Sequence, residues 1–314
     1  MKIAYQAPAK VILSGEHAAV YGKPALASAV SFYLTFTMED NKNTTVSHQK
    51  DKAIQYIEEE VKKYLQKNNL AFIDKPYQFF IKSTVPIGRG LGSSGALCTS
   101  AVACFWEFYT GQKPEKSVVN SVAYHCEKYF HSRPSGLDVS TSCFGGLIYY
   151  RKEFEFLKTV SALNCKFSEK IQSRLFLIDS GKPKETTAEM VQQVGRAYNQ
   201  KPRKFEEYFN AIEKLTRQMV VAIMREDVAM FENCLKKNEA LLEQIGVVSL
   251  PTQKLIDCLS KIGAAKVTGA GGRKKGSGFI LCFTQKEKKL AEYCAKNNLK
   301  YFRFQQALDG LKRV

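Results

Sequence analysis

Two hydrophobic periods alternate along the chain and predict a mixture of strands and helices. Segments such as 25–38 alternate apolar and polar residues, as in a half-buried strand, whereas 51–69 repeats apolar residues at helical spacing. We predict strands at 1–14, 25–38, 77–83, 145–151, 174–180, 264–268, 278–283 and 300–304, with Pro8 interrupting the first. We predict helices at 51–69, from 96 through the following apolar run, at 114–129, 186–199, 205–225, 228–245 and 251–262, and between the last two strands.

The order of these elements predicts an α+β protein with two domains. From residue 174 onward the order is strand, helix, strand, strand, helix, strand, which is the signature of a ferredoxin-like half. The 314 residues, 45% of them hydrophobic, can fill two cores. We place the boundary within 161–173, which gives an N-terminal domain of 1–165 and a C-terminal domain of 166–314.

The cysteines and the apolar runs predict a cytoplasmic protein. The nine cysteines are scattered and none forms a C-x-x-C pair, so neither a disulfide framework nor a zinc knuckle is indicated. No apolar run is long enough to cross a bilayer, and the first residues carry no signal-peptide pattern. Reduced thiols in a cytoplasm fit this composition best.

The formal net charge of +17 is the one unusual feature of the composition. It could indicate a nucleic-acid partner, but the lysines are spread along the chain, many on amphipathic segments such as 54–67. No aromatic RNA-binding motif, zinc finger or basic tail is present. We therefore expect a positive field that attracts small anionic substrates, and neither a nucleic-acid nor a membrane partner.

The most informative segment is 86–95, which reads Pro-Ile-Gly-Arg-Gly-Leu-Gly-Ser-Ser-Gly. Its alternating glycines let the backbone approach a ligand closely, since no Cβ intervenes. The mostly apolar run that follows reads as a helix. A glycine loop that leads into a helix N-terminus presents unpaired N–H groups and the positive end of the helix dipole. The segment therefore predicts a phosphate site.

Three other interpretations of this segment fit less well. The Gly-x-Gly-x-x-Gly string that ends at Gly95 matches the dinucleotide fingerprint, but that fold requires a second strand after the helix, where 114–129 predicts another helix. A P-loop requires Lys and Ser or Thr where Ala96 and Leu97 stand. A flexible Gly/Ser linker would not lead directly into a helix.

Four segments along the chain combine into one pattern. The first begins Ala7-Pro-Ala-Lys-Val-Ile-Leu-Ser-Gly-Glu-His17 and runs to Leu26, and the second is 86–95. The third is Pro134-Ser-Gly-Leu-Asp138, and the fourth is Lys266-Val-Thr-Gly-Ala-Gly-Gly272. In this order they resemble the motifs of mevalonate kinases, in the short form of archaea and some bacteria. The wider superfamily also contains galactokinase, homoserine kinase and phosphomevalonate kinase.

The resemblance implies a fold and an activity. The fold would be the two-domain small-molecule kinase fold, with an N-terminal ribosomal-S5-like α/β domain and a C-terminal ferredoxin-like α+β domain that completes the substrate site. The activity would be ATP-dependent phosphorylation of the primary hydroxyl of mevalonate to 5-phosphomevalonate, with Mg²⁺, for isoprenoid synthesis. The partner would be this small molecule, and the sequence leaves a homodimer open.

The resemblance also assigns residues. Asp138 matches the catalytic aspartate, and Lys10 matches the neighbouring lysine that would lower the pKa of the alcohol. Ser94 and Glu127 match the magnesium ligands, and Glu127 precedes Asp138 by eleven residues, as in the family. ATP phosphates would lie on Gly88, Gly90, Leu91, Gly92, Ser93, Ser94 and Gly95, and mevalonate would contact Glu16, His17, Thr187 and Ala270.

Several of these residues also have an ordinary structural interpretation. Asp138 alone could be a helix N-cap, Lys10 alone a solvated strand lysine, and His17 alone a structural histidine. The order of the motifs favours the functional interpretation.

The chain departs from the family pattern twice. The family often has Ser-Thr-Lys where this chain has Thr186-Thr187-Ala188, and the fourth segment continues with Arg273-Lys274-Lys275 in place of more glycine. These three cations either bind an anionic substrate or carry solvated charge. A sister kinase acting on phosphomevalonate or a sugar is the nearest alternative, and a basic nucleic-acid-binding protein is the alternative from another class.

Overall fold

The computed structural model describes residues 2–40, 51–131 and 134–314. Met1 of the first predicted strand, and residues 132 and 133 of the loop before Pro134, lie outside the described residues. Strands are β1 (Lys2–Ser14), β2 (Ala25–Asp40), β3 (Tyr77–Ser83), β4 (Leu147–Lys152), β5 (Lys158–Leu163), β6 (Leu175–Asp179), β7 (Ala264–Val267), β8 (Phe279–Phe283), β9 (Tyr301–Arg303) and β10 (Lys312–Arg313). Helices are α1 (Lys52–Lys67), α2 (Ser93–Thr110), α3 (Lys116–Cys126), α4 (Leu137–Phe144), α5 (Glu169–Gln172), α6 (Thr187–Gln200), α7 (Pro202–Met224), α8 (Val228–Ile245), α9 (Leu250–Ser260) and α10 (Glu287–Lys296), with 3₁₀ turns at Ala18–Tyr21 and Glu127–Tyr129.

The predicted elements are confirmed, with bounds that differ by a few residues. The sequence pattern did not predict β5, β10, α4 or α5. β5 has no fully buried residue and therefore shows no clear hydrophobic alternation. β10 has two residues and α5 has four, too few to carry a period. Within the described residues, no helix is both long enough and apolar enough to span a bilayer.

The first sheet is antiparallel and carries the N-terminal half. Its order is β10-β1-β2-β4-β5, and β3 pairs with the outer part of β2. The register between β1 and β2 shifts between Pro8 and Ala9. Pro8 has no N–H to contribute to the ladder, so the predicted interruption of this strand occurs as a register shift rather than as a break.

The second sheet has the order β7-β8-β6-β9, and all its pairs are antiparallel. The connection from β6 to β7 contains α6 to α9, and α10 connects β8 to β9. This is the predicted strand–helix–strand–strand–helix–strand order, so the α+β class is confirmed. The division of the chain into 1–165 and 166–314 stays a prediction.

The C-terminal residues return to the first sheet. β10 pairs with β1, the Ala307 N–H donates to the Ala29 carbonyl at 3.0 Å, and the Gly146 N–H donates to the Ala307 carbonyl at 2.8 Å. The two sheets are thereby connected both by the chain after β5 and by its last ten residues.

Helix α2 runs through the core of the N-terminal half. Almost every residue from Gly95 to Tyr109 is buried, and the helix packs against β1, β2, α1, α3 and α4. A helix that is apolar all round belongs inside a protein, because each of its faces must be covered. The burial of α2 fixes the position of its N-terminus, at which Ser93, Ser94 and Gly95 lie.

Candidate active site

The glycine loop connects β3 to α2. Gly88, Gly90 and Gly92 have φ values of 69°, 85° and 72°, and Gly92 is the N-cap of α2. The N–H groups of Ser93 and the residues just after it have no earlier helical carbonyl to bond, so they form an anion-binding helix end. The structure therefore places the predicted phosphate loop at the start of a buried helix.

Two neighbouring segments fix the conformation of this loop. The Lys10 N–H donates to the Leu91 carbonyl at 3.0 Å, so Leu91 anchors the loop to β1 through its backbone. A Cβ on Gly92 would lie 2.8 Å from Lys10 Cγ, and a Cβ on Gly90 would lie 2.8 Å from the carbonyl oxygen of Thr268. Only glycine fits at either position, because β1 approaches the loop on one side and the turn after β7 on the other.

Lys10 and Asp138 form an ion pair beside Gly92. Lys10 Nζ lies 3.2 Å from Asp138 Oδ1 and donates to the Gly90 carbonyl at 3.1 Å. The lysine side chain is 3% exposed and the aspartate side chain 23% exposed. Lys10 is thus not a solvated strand lysine. The N-cap of α4 is Gly136, so Asp138 lies in the first helical turn and is not the cap.

Glu127 lies in the 3₁₀ turn after α3 and is a buried acid. The residue is 2% exposed, and its Oε1 has no hydrogen-bond partner among the described residues. Burial, and secondarily the charge of Asp138, raise the pKa of Glu127 well above its usual value, opposed by Lys10 and by a hydrogen bond from Ser94. A buried oxygen without a hydrogen-bond partner raises the free energy of the folded state unless a cation or a water molecule binds to it.

These two residues fit a magnesium site of few protein ligands. The described residues contain no cluster of three or more His, Cys, Asp or Glu side chains that could bind a metal by themselves. Mg²⁺ typically takes one or two protein oxygens and completes its shell with water and substrate phosphate. The orphaned Glu127 oxygen and the Ser94 hydroxyl at the phosphate loop provide that donor set.

His131 is a member of this cluster that the sequence analysis did not assign. Its Nε2 lies 3.2 Å from Ser94 Oγ, and its N–H donates to the Glu127 carbonyl at 2.9 Å. Burial lowers the pKa of His131, so the ring is neutral at pH 7. The available signal was the place of His131 in the sequence, four residues after Glu127 and three before Pro134.

The Glu16 side chain is buried more deeply than we expect for a residue that contacts a substrate directly. This side chain is 0% exposed and pairs with Lys266, which is also 0% exposed. Asn238 Nδ2 donates to the second carboxylate oxygen at 3.4 Å. The predicted contact between Glu16 and the acceptor stays a prediction, but both oxygens of the carboxylate already have protein partners.

His17 and Ala270, two of the residues expected to contact the acceptor, lie together in the structure. His17 Nε2 lies 3.1 Å from the Ala270 carbonyl, and the residue is 7% exposed. Burial lowers the pKa of His17 to about 4, so the ring is neutral at pH 7. A carbonyl can only accept, so the proton is on Nε2, and Nδ1 is left as an acceptor.

Thr187 is the first residue of α6, next to the N-cap Thr186. Thr186 forms a capping box with Glu189, whereas no described residue hydrogen-bonds to the exposed Thr187 side chain. Among the described residues, no hydrogen bond joins the Thr187 side chain to His17 or Lys10.

The glycine loop is also bonded to the second sheet, through contacts that the sequence did not predict. Arg89, between two loop glycines, pairs with Asp179 at the end of β6, and its carbonyl accepts the Phe279 N–H at 3.1 Å. The loop residues thus bond to strands of both sheets. No motif contains this pair, and only the fold brings it together.

Two segments of the chain match the domains of one protein family. Residues 52–146 match the description "GHMP kinases N terminal domain", and residues 219–298 match "GHMP kinases C terminal". Together these matches cover more than half of the chain, and they include the glycine loop and the fourth segment. The chain belongs to the GHMP kinase family. The kinase therefore has the two-domain α+β fold expected from its motifs.

Relatives and solved structures agree with this assignment. The kinase is 28% identical to a mevalonate kinase from Methanocaldococcus jannaschii, over 95% of this chain and 97% of the relative. The crystal structure of the Methanococcus jannaschii mevalonate kinase is similar with a TM-score of 0.78, 24% identity and 98% coverage of both chains. The Streptococcus pneumoniae phosphomevalonate kinase has a TM-score of 0.76, 18% identity and complete coverage of both chains. At these identities, the two solved structures show the fold alone.

Proposed function

We propose that this kinase transfers the γ-phosphoryl group of ATP to the primary hydroxyl of mevalonate and forms 5-phosphomevalonate. The observation that carries the proposal is the Lys10–Asp138 pair, 3.2 Å apart, at a glycine loop and helix N-terminus. A phosphate site beside a buried cation and a partly exposed carboxylate is what phosphoryl transfer to an alcohol requires. The sequence relative named mevalonate kinase, over nearly the whole chain, supports the choice of acceptor.

The pair would act on the acceptor hydroxyl. Asp138 Oδ2, which is not the oxygen facing Lys10, would accept the hydrogen bond of the hydroxyl and can take its proton as the oxygen bonds to phosphorus. The bond between the γ-phosphorus and the bridging oxygen breaks, and ADP leaves with the electron pair. Lys10 would stabilise negative charge on the attacking oxygen, and its bond to the Gly90 carbonyl keeps it aligned.

The loop would hold the nucleotide phosphates, through backbone N–H groups between Gly88 and Gly95 and the dipole of α2. Glu127 and Ser94 would hold Mg²⁺, with His131 orienting the Ser94 hydroxyl. When bound, Mg²⁺ supplies charge neutralisation of the phosphates. Mg²⁺ binding would also give a partner to the buried Glu127 Oε1, which has none among the residues that the structure describes.

The acceptor would lie against His17 and Ala270. His17 Nδ1 would accept a hydrogen bond from a hydroxyl of mevalonate, because the Ala270 carbonyl holds the Nε2–H tautomer. Ala270 would contact the methyl-bearing carbon. Thr187 would complete the site from the N-terminus of α6.

The nine cysteines support a cytoplasmic location for this reaction. All are free thiols, and none is exposed. A reducing compartment keeps such thiols intact.

A panel assay of ADP release tests the proposal. Mevalonate, phosphomevalonate, galactose and homoserine would each be offered with ATP and Mg²⁺. We expect the highest kcat/KM for mevalonate, and we expect Asp138→Asn to abolish most of it. Preferential turnover of phosphomevalonate or galactose would identify a sister kinase instead.

A further inference from the structure

Lys266, in β7, is a buried cation with no role in the reaction described above. Its side chain is 0% exposed, and Nζ donates to the Glu16 carboxylate, to the Val267 carbonyl at 2.7 Å and to the Ile12 carbonyl at 3.3 Å. All three ammonium protons therefore have acceptors inside the protein. The lysine belongs to the second sheet, while Glu16 and Ile12 belong to the N-terminal segment, so Lys266 joins the two halves.

Glu16 is held from a second direction. Asn238 of α8 donates to Glu16 Oε2, and its own carbonyl accepts the Ser14 hydroxyl at 2.7 Å. Thr216 of α7 lies 2.7 Å from the same hydroxyl. The Glu16 carboxylate is therefore held directly by strand β7 and by helix α8, while Thr216 of α7 supports Asn238 only indirectly, through Ser14.

The next residue, His17, has an unusual backbone. Its φ of 59° is in the left-handed region, which is costly for a residue with a side chain. Such a conformation persists only where its surroundings over-determine it. Here the anchors are on consecutive residues: Lys266 holds Glu16, and the Ala270 carbonyl holds the His17 ring. Lys266 and Ala270 lie on the same short segment, so one element supplies both anchors.

We propose that Lys266 is a positioning residue that acts through Glu16 to hold His17 in its left-handed conformation, and so sets the acceptor wall formed by His17 and Ala270. The identity of the acceptor rests on the proposed function. A buried ion pair is weak evidence for stability, since desolvation offsets most of its attraction. The Lys266–Glu16 pair lies next to the strained residue His17 and to Ala270. Its role is therefore better explained as holding these residues in place than as stabilising the fold.

Histidine NMR tests the placement without any substrate. The chain contains four histidines, so a His17→Asn variant assigns the His17 signals in ¹⁵N-histidine-labelled protein. In the wild type, His17 should remain the neutral Nε2–H tautomer from about pH 5.5 to 8. In Lys266→Met, whose side chain has similar length and no charge, we expect a mixture of tautomers and a titration near 6.5. Unchanged His17 signals in this variant would overturn the proposal.

Kinetics separate positioning from stability. Lys266→Met should raise the KM for mevalonate on the order of tenfold and leave the KM for ATP within about twofold. The double variant Glu16→Gln/Lys266→Met removes the unpaired buried charge, so its Tm should recover. Its KM for mevalonate should stay high, because the anchor is still missing. A KM that recovers together with Tm would reduce the pair to a structural role.

Controls keep these outcomes distinct. Glu107→Gln removes another buried carboxylate, which bonds to Tyr5 at 2.6 Å and to Arg313. Glu107 lies near the C-terminal end of α2, about 20 Å along the helix from the site. This substitution should change Tm and neither KM. If Lys266→Met does not fold, the NMR and the kinetic measurements are both made on the double variant. If the wild type does not phosphorylate mevalonate, the proposed function fails, whereas the NMR experiment still decides the placement.

Discussion

Lys10 Nζ lies 3.2 Å from Asp138 Oδ1 and 3.1 Å from the Gly90 carbonyl oxygen, so one ammonium group connects the candidate catalytic aspartate to the glycine loop. β1, the glycine loop and α4 meet at this point. The position of Asp138 relative to the glycine loop therefore depends on the packing between Lys10 and Gly92, which leaves no room for a Cβ. Catalysis should be sensitive to that contact, because a small misplacement of reacting groups lowers the rate strongly.

Alanine at Gly92 and at Gly111 separates backbone strain from the geometry of the site. Both glycines have a φ of 72° and flank α2, but a Cβ at Gly111 would meet nothing within 4 Å. Gly111→Ala should lose about 1–2 kcal/mol of unfolding free energy, measured by denaturant titration, and Gly92→Ala at least as much, because its Cβ also meets Lys10. Only Gly92→Ala should also lower kcat, because its Cβ would displace Lys10. Equal kcat values for the two variants would contradict this account.

Asp138→Asn should lower kcat by on the order of 10² or more and leave ATP affinity nearly unchanged. The reason is that the amide cannot take the proton of the acceptor hydroxyl, while the helix and the loop remain. Steady-state kinetics and nucleotide titration measure the two quantities. Asp227→Asn is a matched control, since Asp227 caps α8 through the Met230 N–H and asparagine caps equally well. Near-normal turnover of Asp138→Asn would remove Asp138 from the chemistry.

Glu127→Gln should raise the Mg²⁺ concentration required for half-maximal activity and leave the KM for mevalonate comparatively unchanged. Glutamine keeps the size of the side chain and removes the charge that would face the ion. Activity measured against Mg²⁺ at fixed ATP, and against mevalonate at saturating Mg²⁺, provides the comparison. A loss confined to mevalonate affinity would place Glu127 in the acceptor site instead.

Glu239 should make stability depend on pH. Burial raises its pKa to about 8, while its Oε2 accepts the Val267 N–H at 2.8 Å. The folded protein keeps a proton that the unfolded chain releases above its ordinary value of 4.5, so wild-type stability falls as pH rises from there to about 8. The loss is at most about 1.4 kcal/mol per pH unit.

Glu239→Gln should lack this dependence. The stability of the variant relative to the wild type should therefore increase from pH 5 to about pH 8 and then level off, as measured by denaturant unfolding across that range. A constant difference between the two proteins would mean that Glu239 ionises normally in the fold.

The cations Arg273, Lys274 and Lys275 should prove to be solvated charge. All three are exposed, and Arg273 bonds to Gln193 of α6 at 3.3 Å through its side chain and to Glu185 at 3.2 Å through its N–H. We expect the triple alanine variant to keep both KM values within about twofold at low and high salt. A large rise at low salt that shrinks as salt is added would instead assign these residues to anion binding.

Much of the site could be predicted because its motifs are local. The glycine loop and the start of α2 are contiguous, so 86–95 alone indicates a phosphate site. The class of the fold followed in the same way from the order of strands and helices. The alternating strand β2 and the amphipathic helix α1 illustrate the periods that carry this information.

Other features could not be predicted because they depend on distant parts of the chain. Glu16 reads as a substrate residue in its motif, yet the fold places Lys266 against it and encloses both. His131 has no motif, and only the turn after α3 brings it to Ser94. The pairing of β10 with β1 involves two residues at the end of the chain, which no local pattern reveals.

The sequence by itself determined most of the elements, the glycine loop and the residues that belong to motifs, because periodicity and local spacing are properties of neighbouring positions. The tertiary structure decided which of those residues meet and which are enclosed. It joined Lys10 to Asp138, left one Glu127 oxygen without a partner within the described part of the chain, and placed Glu16 against Lys266. The physical reason is that burial and charge pairing depend on what packs around a side chain, and that is set by contacts between segments far apart in the chain.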